Sequence, residues 1–114
     1  MTNRLLGPAA GRLPYFAVIL HRGRVSGRQY RTPVNAFPAD GGFIVALTYG
    51  RTDWVRNVLA SDGCEIDHRG DRRKLVRPRL IGRTEAATGV PSLVLFVLDL
   101  LRVGEFVRLE TTSP

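Results

Sequence analysis

The sequence predicts a mainly β domain: a small antiparallel barrel of about six strands with two to three flanking helices. Three observations point there. Short apolar or alternating segments recur between glycine-rich turns, while two other segments repeat their apolar residues at helical spacing. The chain has 114 residues, 44% hydrophobic and 24% charged, which suits one ordinary domain over 1–114 rather than disorder or a fibrous repeat.

Residues 1–13, rich in Arg, Gly and Pro, read as an N-terminal arm or short helix. Residues 15–20 form a continuous apolar run with a β-branched centre, the pattern of a strand buried on both faces. Gly23 and Gly27 punctuate the way to the next strand, 30–37, making a hairpin with a basic tip, and Pro33 places that strand at an edge or a bulge. Asp40-Gly41-Gly42 is a tight-turn signal before a strand at 43–47. The period then changes: Trp54, Val55, Val58 and Leu59 mark a short helix over 53–60, with Thr52 or Asp53 as its N-cap. A second hairpin follows, 64–68 and 74–81 around Arg69-Gly70-Asp71. Pro91 opens a last helix, 91–102, apolar nearly all round and ended by Gly104, before a final strand at 106–109. Such a helix is either deeply buried, in the barrel or in a homodimer interface, or faces something apolar.

Seventeen Lys+Arg against ten Asp+Glu give a net charge of +7, and sixteen of the cations are arginines, suited to bidentate pairing with phosphate and carboxylate. An anionic partner is expected: nucleic acid, an anionic membrane surface, or a small ligand bearing phosphate and carboxylates. Nucleic acid ranks last, because only Tyr30 supplies an aromatic near the basic tip. Cys64 is the sole cysteine, so neither an internal disulfide nor a cysteine metal cluster forms. With no signal-like start, a cytoplasmic location is expected. The apolar run at 90–101 covers about half of the roughly 20 residues a span needs.

Chemical motifs are sparse. His21 and His68 lie on separate predicted strands without acidic residues at metal-ligand spacing, so no metal site is expected and both histidines read as structural or surface groups. Nucleophile elbow, Walker loop and Rossmann fingerprint are absent. What remains is Gly23-Arg24-Val25-Ser26-Gly27-Arg28, where two glycines allow backbone N–H groups to converge on a phosphate while Arg24 and Arg28 add charge. The plainer reading is a hairpin turn with two solvated arginines.

The run from His21 to Val34, with Gly-Arg-Val-Ser-Gly-Arg and then Arg31-Thr32-Pro33-Val34, resembles the signature of the deazaflavin (F420)-dependent nitroreductases. Asp40-Gly41-Gly42, Thr48-Tyr49-Gly50 and Asp53-Trp54-Val55-Arg56-Asn57 continue the resemblance, which covers about residues 13–82 in order. It implies an FMN-binding-type split β-barrel that binds coenzyme F420. The acidic tail would lie on Arg24, Ser26, Gly27 and Arg28, and the ring along Tyr30, Thr32, Pro33, Val34 and Leu47. Thr48, Tyr49 and Gly50 would form the opposite rim, Trp54 and Asn57 the closing helix, and Thr48 or Tyr49 would assist the chemistry as catalytic groups. The implied reaction is hydride transfer to a quinone, nitro compound or conjugated enone; FMN is the lesser cofactor candidate, because the polyglutamate tail suits the arginines better.

Two positions depart from the family. Val25 and Tyr49 stand where its better-known members carry cations, each charge-assisted contact being worth about 1.5–3 kcal/mol. The Thr-Tyr-Gly and Asp-Trp-Val-Arg-Asn pieces look more like a less characterised branch associated with membranes and fatty-acid-like ligands. A non-catalytic carrier of F420 or of an apolar chain is therefore the alternative, with peripheral contact to the cytoplasmic face of the membrane through 90–102.

Overall fold

The computed structural model describes residues 15–112; the arm expected at 1–13 lies outside them. Six strands, β1 (Phe16–Arg22), β2 (Gln29–Ala39), β3 (Gly42–Ala46), β4 (Gly63–His68), β5 (Asp71–Gly82) and β6 (Glu105–Thr111), close into an antiparallel barrel in the order β1-β2-β3-β6-β5-β4. Among the described residues three helices flank it: α1 (Asp53–Ser61), α2 (Arg83–Ala86) and α3 (Ser92–Leu100).

Two apolar layers explain why several strands read as continuous hydrophobic runs. In β3 all five residues are buried. Phe43 and Val45 join the inner core with Ile19, Ile66, Leu75 and Leu109, while Ile44 and Ala46 join an outer core with Phe37, Ile81 and Phe106 beneath Leu95 and Leu98 of α3. Period-two alternation thus persists, but both faces are apolar because one meets the barrel interior and the other a helix. Trp54, Val55 and Val58 of α1 complete the inner core.

β2 is paired unevenly. It meets β1 over 29–35 and β3 only over 36–39, so Pro33, opposite Val18, has no β3 partner beside it. The edge position expected from a residue lacking an N–H is what the register shows. This local parting of β2 from β3 opens the cleft described below. In β5, Val76 faces Glu110 and Arg79 faces Arg108, so the ladder takes up one extra residue across Arg77-Pro78, where Arg77 adopts a left-handed φ of 54°.

The hairpin strands run further than their apolar cores suggest, since β5 begins at Asp71 with four exposed residues held by pairing to β4. The N-cap of α1 is Thr52, without a side-chain cap bond. Gly104 does not end α3. The helix stops earlier, where Arg102 takes φ 61° and the N–H groups of Arg102 and Val103 donate to Asp99 and Leu98. Nor is α3 buried all round: Leu93, Phe96, Val97, Leu100 and Leu101 are exposed, so its burial within the barrel covers only one face. Among the described residues no helix is long and apolar enough to cross a membrane.

Candidate functional site

The connection from β1 to β2 turns sharply because Gly23 N–H donates to Arg28 O at 2.8 Å and Gly27, at φ 75°, donates to Gly23 O at 2.9 Å. Arg28 N–H donates to Ser26 Oγ at 3.2 Å, and Arg24 N–H to Asn57 Oδ1 at 3.0 Å. Four of the loop's backbone donors are therefore committed within the protein. Both glycines thus serve the turn, and the backbone nest expected of this loop narrows to the N–H groups of Val25 and Ser26 beside its side chains.

One polar chain ties this loop to the barrel. Arginine has donors only, so Asn57 must turn Oδ1 toward Arg24, accepting from its backbone and from Nη1 at 2.8 Å. Asn57 Nδ2 then donates to His21 Nδ1 at 3.1 Å. His21 consequently carries its proton on Nε2, which donates to Thr32 Oγ1 at 2.9 Å. His21 is 5% and Asn57 4% exposed, and the imidazole stacks on Tyr30 with ring centroids 5.7 Å apart. Burial pushes the His21 pKa below its usual value, outweighing the nearby Asp53 carboxylate, which raises it. Asp53 also lies 3.6 Å from Arg24.

Two cavities adjoin here. The larger, of about 660 Å³, is lined by His21, Gly23, Arg24, Val25, Ser26, Tyr30, Arg31, Thr32, Thr52, Asp53, Trp54 and Asn57. The smaller, of about 150 Å³, occupies the cleft where β2 leaves β3 and is lined by Thr32, Pro33, Val34, Ala46, Leu47, Thr48, Tyr49, Gly50, Thr52 and Trp54. Thr32, Thr52 and Trp54 belong to both walls. Of the expected site residues, Arg24, Ser26, Tyr30, Thr32, Trp54 and Asn57 meet at the larger cavity, and Pro33, Val34, Leu47, Thr48, Tyr49 and Gly50 at the smaller. Gly27 and Arg28 line neither. Tyr49 is 74% exposed and Val25 94%, so both stand at the rims.

Charge is distributed unevenly around the barrel. Among the described residues, seven of the ten acidic side chains pair with arginines, among them Arg51–Glu105, Arg77–Glu110, Arg79–Glu85 and Arg83–Asp99. In the larger cavity, Arg24 shares Asp53, and the exposed Arg31 has no carboxylate partner among the described residues, leaving that wall positive. On the far side of β1, Cys64 packs against the inner core, and burial with the neighbouring Glu65 pushes its thiol pKa up to about 12. The described residues contain no group of three His, Cys, Asp or Glu able to hold a metal ion.

Sequence reasoning missed His21, Thr52 and Asp53 as wall residues; Arg31 was legible only as one of several arginines able to stand in for the family cations. His21 is 36 residues from Asn57, and no local pattern links them. The one usable signal was alternation, since His21 continues the 17, 19 series that faces the inner core.

Comparison with known proteins reaches the fold. No family model and no curated protein matches the chain. Among solved structures it is similar to Atu2129, a protein of unknown function from Agrobacterium tumefaciens, at 22% identity and a TM-score of 0.59 over 96% of this chain; the chain spans only 55% of that protein's length. It is also similar to HutZ, the heme storage protein of Vibrio cholerae, at 11% identity and a TM-score of 0.55, covering 94% of this chain and 88% of that one. At these identities the likeness shows the shared barrel alone.

Proposed function

We propose that the protein is an F420-dependent oxidoreductase acting on an electron-poor acceptor such as a quinone, nitro compound or conjugated enone. One observation carries this reading: an arginine-bearing cavity continues, across Thr32 and Trp54, into a cleft floored by a partly unpaired strand. That order of basic loop, strand and rim is the one the family resemblance implies for an acidic tail followed by a flat ring. The residues fit such a group. Arg24 and Arg31 supply bidentate donors for phosphate and carboxylates, while the buried Val34, Leu47 and Trp54 give an apolar wall.

The reduced deazaflavin would supply the hydride. The chain's own contribution is orientation and exclusion of water at Trp54, with the Thr48 and Tyr49 hydroxyls at the rim donating hydrogen bonds to an acceptor oxygen. Neither is a strong acid, so the final proton comes from water. FMN, lacking the acidic tail, would use fewer of these arginines.

Trp54 is the only tryptophan and borders both cavities, which makes its emission a clean reporter. Titration with F420 and with FMN should show tighter quenching by F420, weakening as salt screens the arginines. Absence of binding by either at tens of micromolar sinks this reading. A second reading, a non-catalytic carrier of F420 or of a fatty-acid-like chain that touches the membrane peripherally, is favoured by the exposed apolar face of α3. Oxidation of reduced F420 only when an acceptor is added would exclude it.

A further inference from the structure

We propose that His21 is a positioning residue: its neutral ring, through Asn57, holds Arg24 at the anion cavity, and a proton on Nδ1 releases that hold, so anion capture weakens as pH falls. The polarity of the chain from Thr32 to Arg24 permits one arrangement only. Asn57 Nδ2 donates to His21 Nδ1, and Asn57 Oδ1 accepts twice from Arg24. Protonated Nδ1 becomes a donor and opposes the amide donor. If Asn57 turns over to meet it, Nδ2 then faces the Arg24 backbone N–H and guanidinium, two donors that cannot reverse. The Thr32 hydroxyl accepts from Nε2–H in both protonation states and offers no relief. The conflict must be absorbed where the loop meets α1, at Arg24.

The surroundings set when this happens. From α1, the exposed Asp53 favours the proton; from the loop, Arg24 opposes it; from β2, Tyr30 stacks on the ring; and Glu65 of β4 with Lys74 of β5 line the neighbouring cleft that His21 also borders. Burial dominates and keeps the ring neutral at neutral pH. The sign of the effect is diagnostic. A histidinium beside an anion would, by charge alone, tighten binding as pH falls; release of Arg24 predicts the reverse.

The inference rests on the F420 reading for the identity of the anion, but its structural step is testable without ligand. In the free protein, the Arg24 backbone amide and the Asn57 side-chain amide should shift in NMR spectra with the same midpoint as the His21 ring nitrogens. With F420 as probe, quenching of Trp54 should show affinity falling about tenfold as His21 becomes protonated, the size of one lost charge-assisted hydrogen bond. His21→Asn restores an acceptor at the Nδ1 position and should bind F420 with no pH dependence over this range. His21→Phe keeps a ring on Tyr30 without the acceptor and should bind weakly at every pH. Affinity that rises or stays level while His21 protonates overturns the proposal, as does a His21→Asn protein that titrates like the wild type. Should F420 bind at no pH, the redox reading fails by itself, and an Arg24 amide indifferent to His21 protonation still decides against the clasp.

Discussion

Truncating Asn57 to alanine would strand the Arg24 backbone N–H and the His21 Nδ1 lone pair in one step, because this amide serves both. Leaving a buried polar group unpaired costs about 1–3 kcal/mol. Asn57→Ala should therefore lower the urea midpoint of unfolding and also weaken F420 binding, whereas a residue that only packs would change the first alone. Sequence pattern placed Asn57 three residues from Trp54 on the same face of α1, and both turn out buried there. It did not expose the partnership with His21, because a single histidine on a strand carries no mark of what crosses over to it. Arg24 was legible as a cation near a turn; that its backbone N–H belongs to a helix 33 residues away was not. The glycines misled in the opposite direction, since a Gly-x-x-x-Gly loop reads alike whether its amides face a ligand or close its own turn.

At the scale of elements, α3 shows why composition alone cannot settle burial. Its outward residues 93, 96, 97, 100 and 101 repeat at helical spacing as regularly as the inward Leu95 and Leu98 do. Only the position of β3 and β6 decides which stripe is covered. Leu98→Ala should cost about 2–5 kcal/mol by leaving a cavity over Ala46 and Phe106. Phe96→Ser should change stability by no more than about 0.5 kcal/mol, as exposed substitutions do. Parallel denaturant melts of the two variants check this; equal losses would mean that the outward stripe is also covered. Strands were the more readable elements, since turn residues at Asp40-Gly41 and Arg69-Gly70 fix the hairpins locally. The short α2 had no such marker, and its four residues are too few to establish a period.

For the whole molecule, the excess of arginine over acid was plain from composition, but its placement was not. Arg51 and Glu105, or Arg77 and Glu110, are brought together only by closure of the barrel, which neutralises much of the surface. The wall by β1, β2 and α1 keeps the exposed Arg31 beside Arg24, across the barrel from the β3 and β6 face that carries α3. Closure also binds β1 to β4 through Val18, Ile19 and Leu20, the seam that completes the ring.

Cys64 sits next to that seam, and its raised pKa makes it a clock. Burial pushes its pKa up to about 12, so the thiolate is far scarcer at neutral pH than that of an ordinary free thiol. A thiol reagent should accordingly label the native protein much more slowly than the unfolded chain. Labelling in dilute denaturant would then time how often the barrel opens around β4, and a ligand lodged between the arginine wall and Trp54 should slow the ticking by the free energy with which it binds.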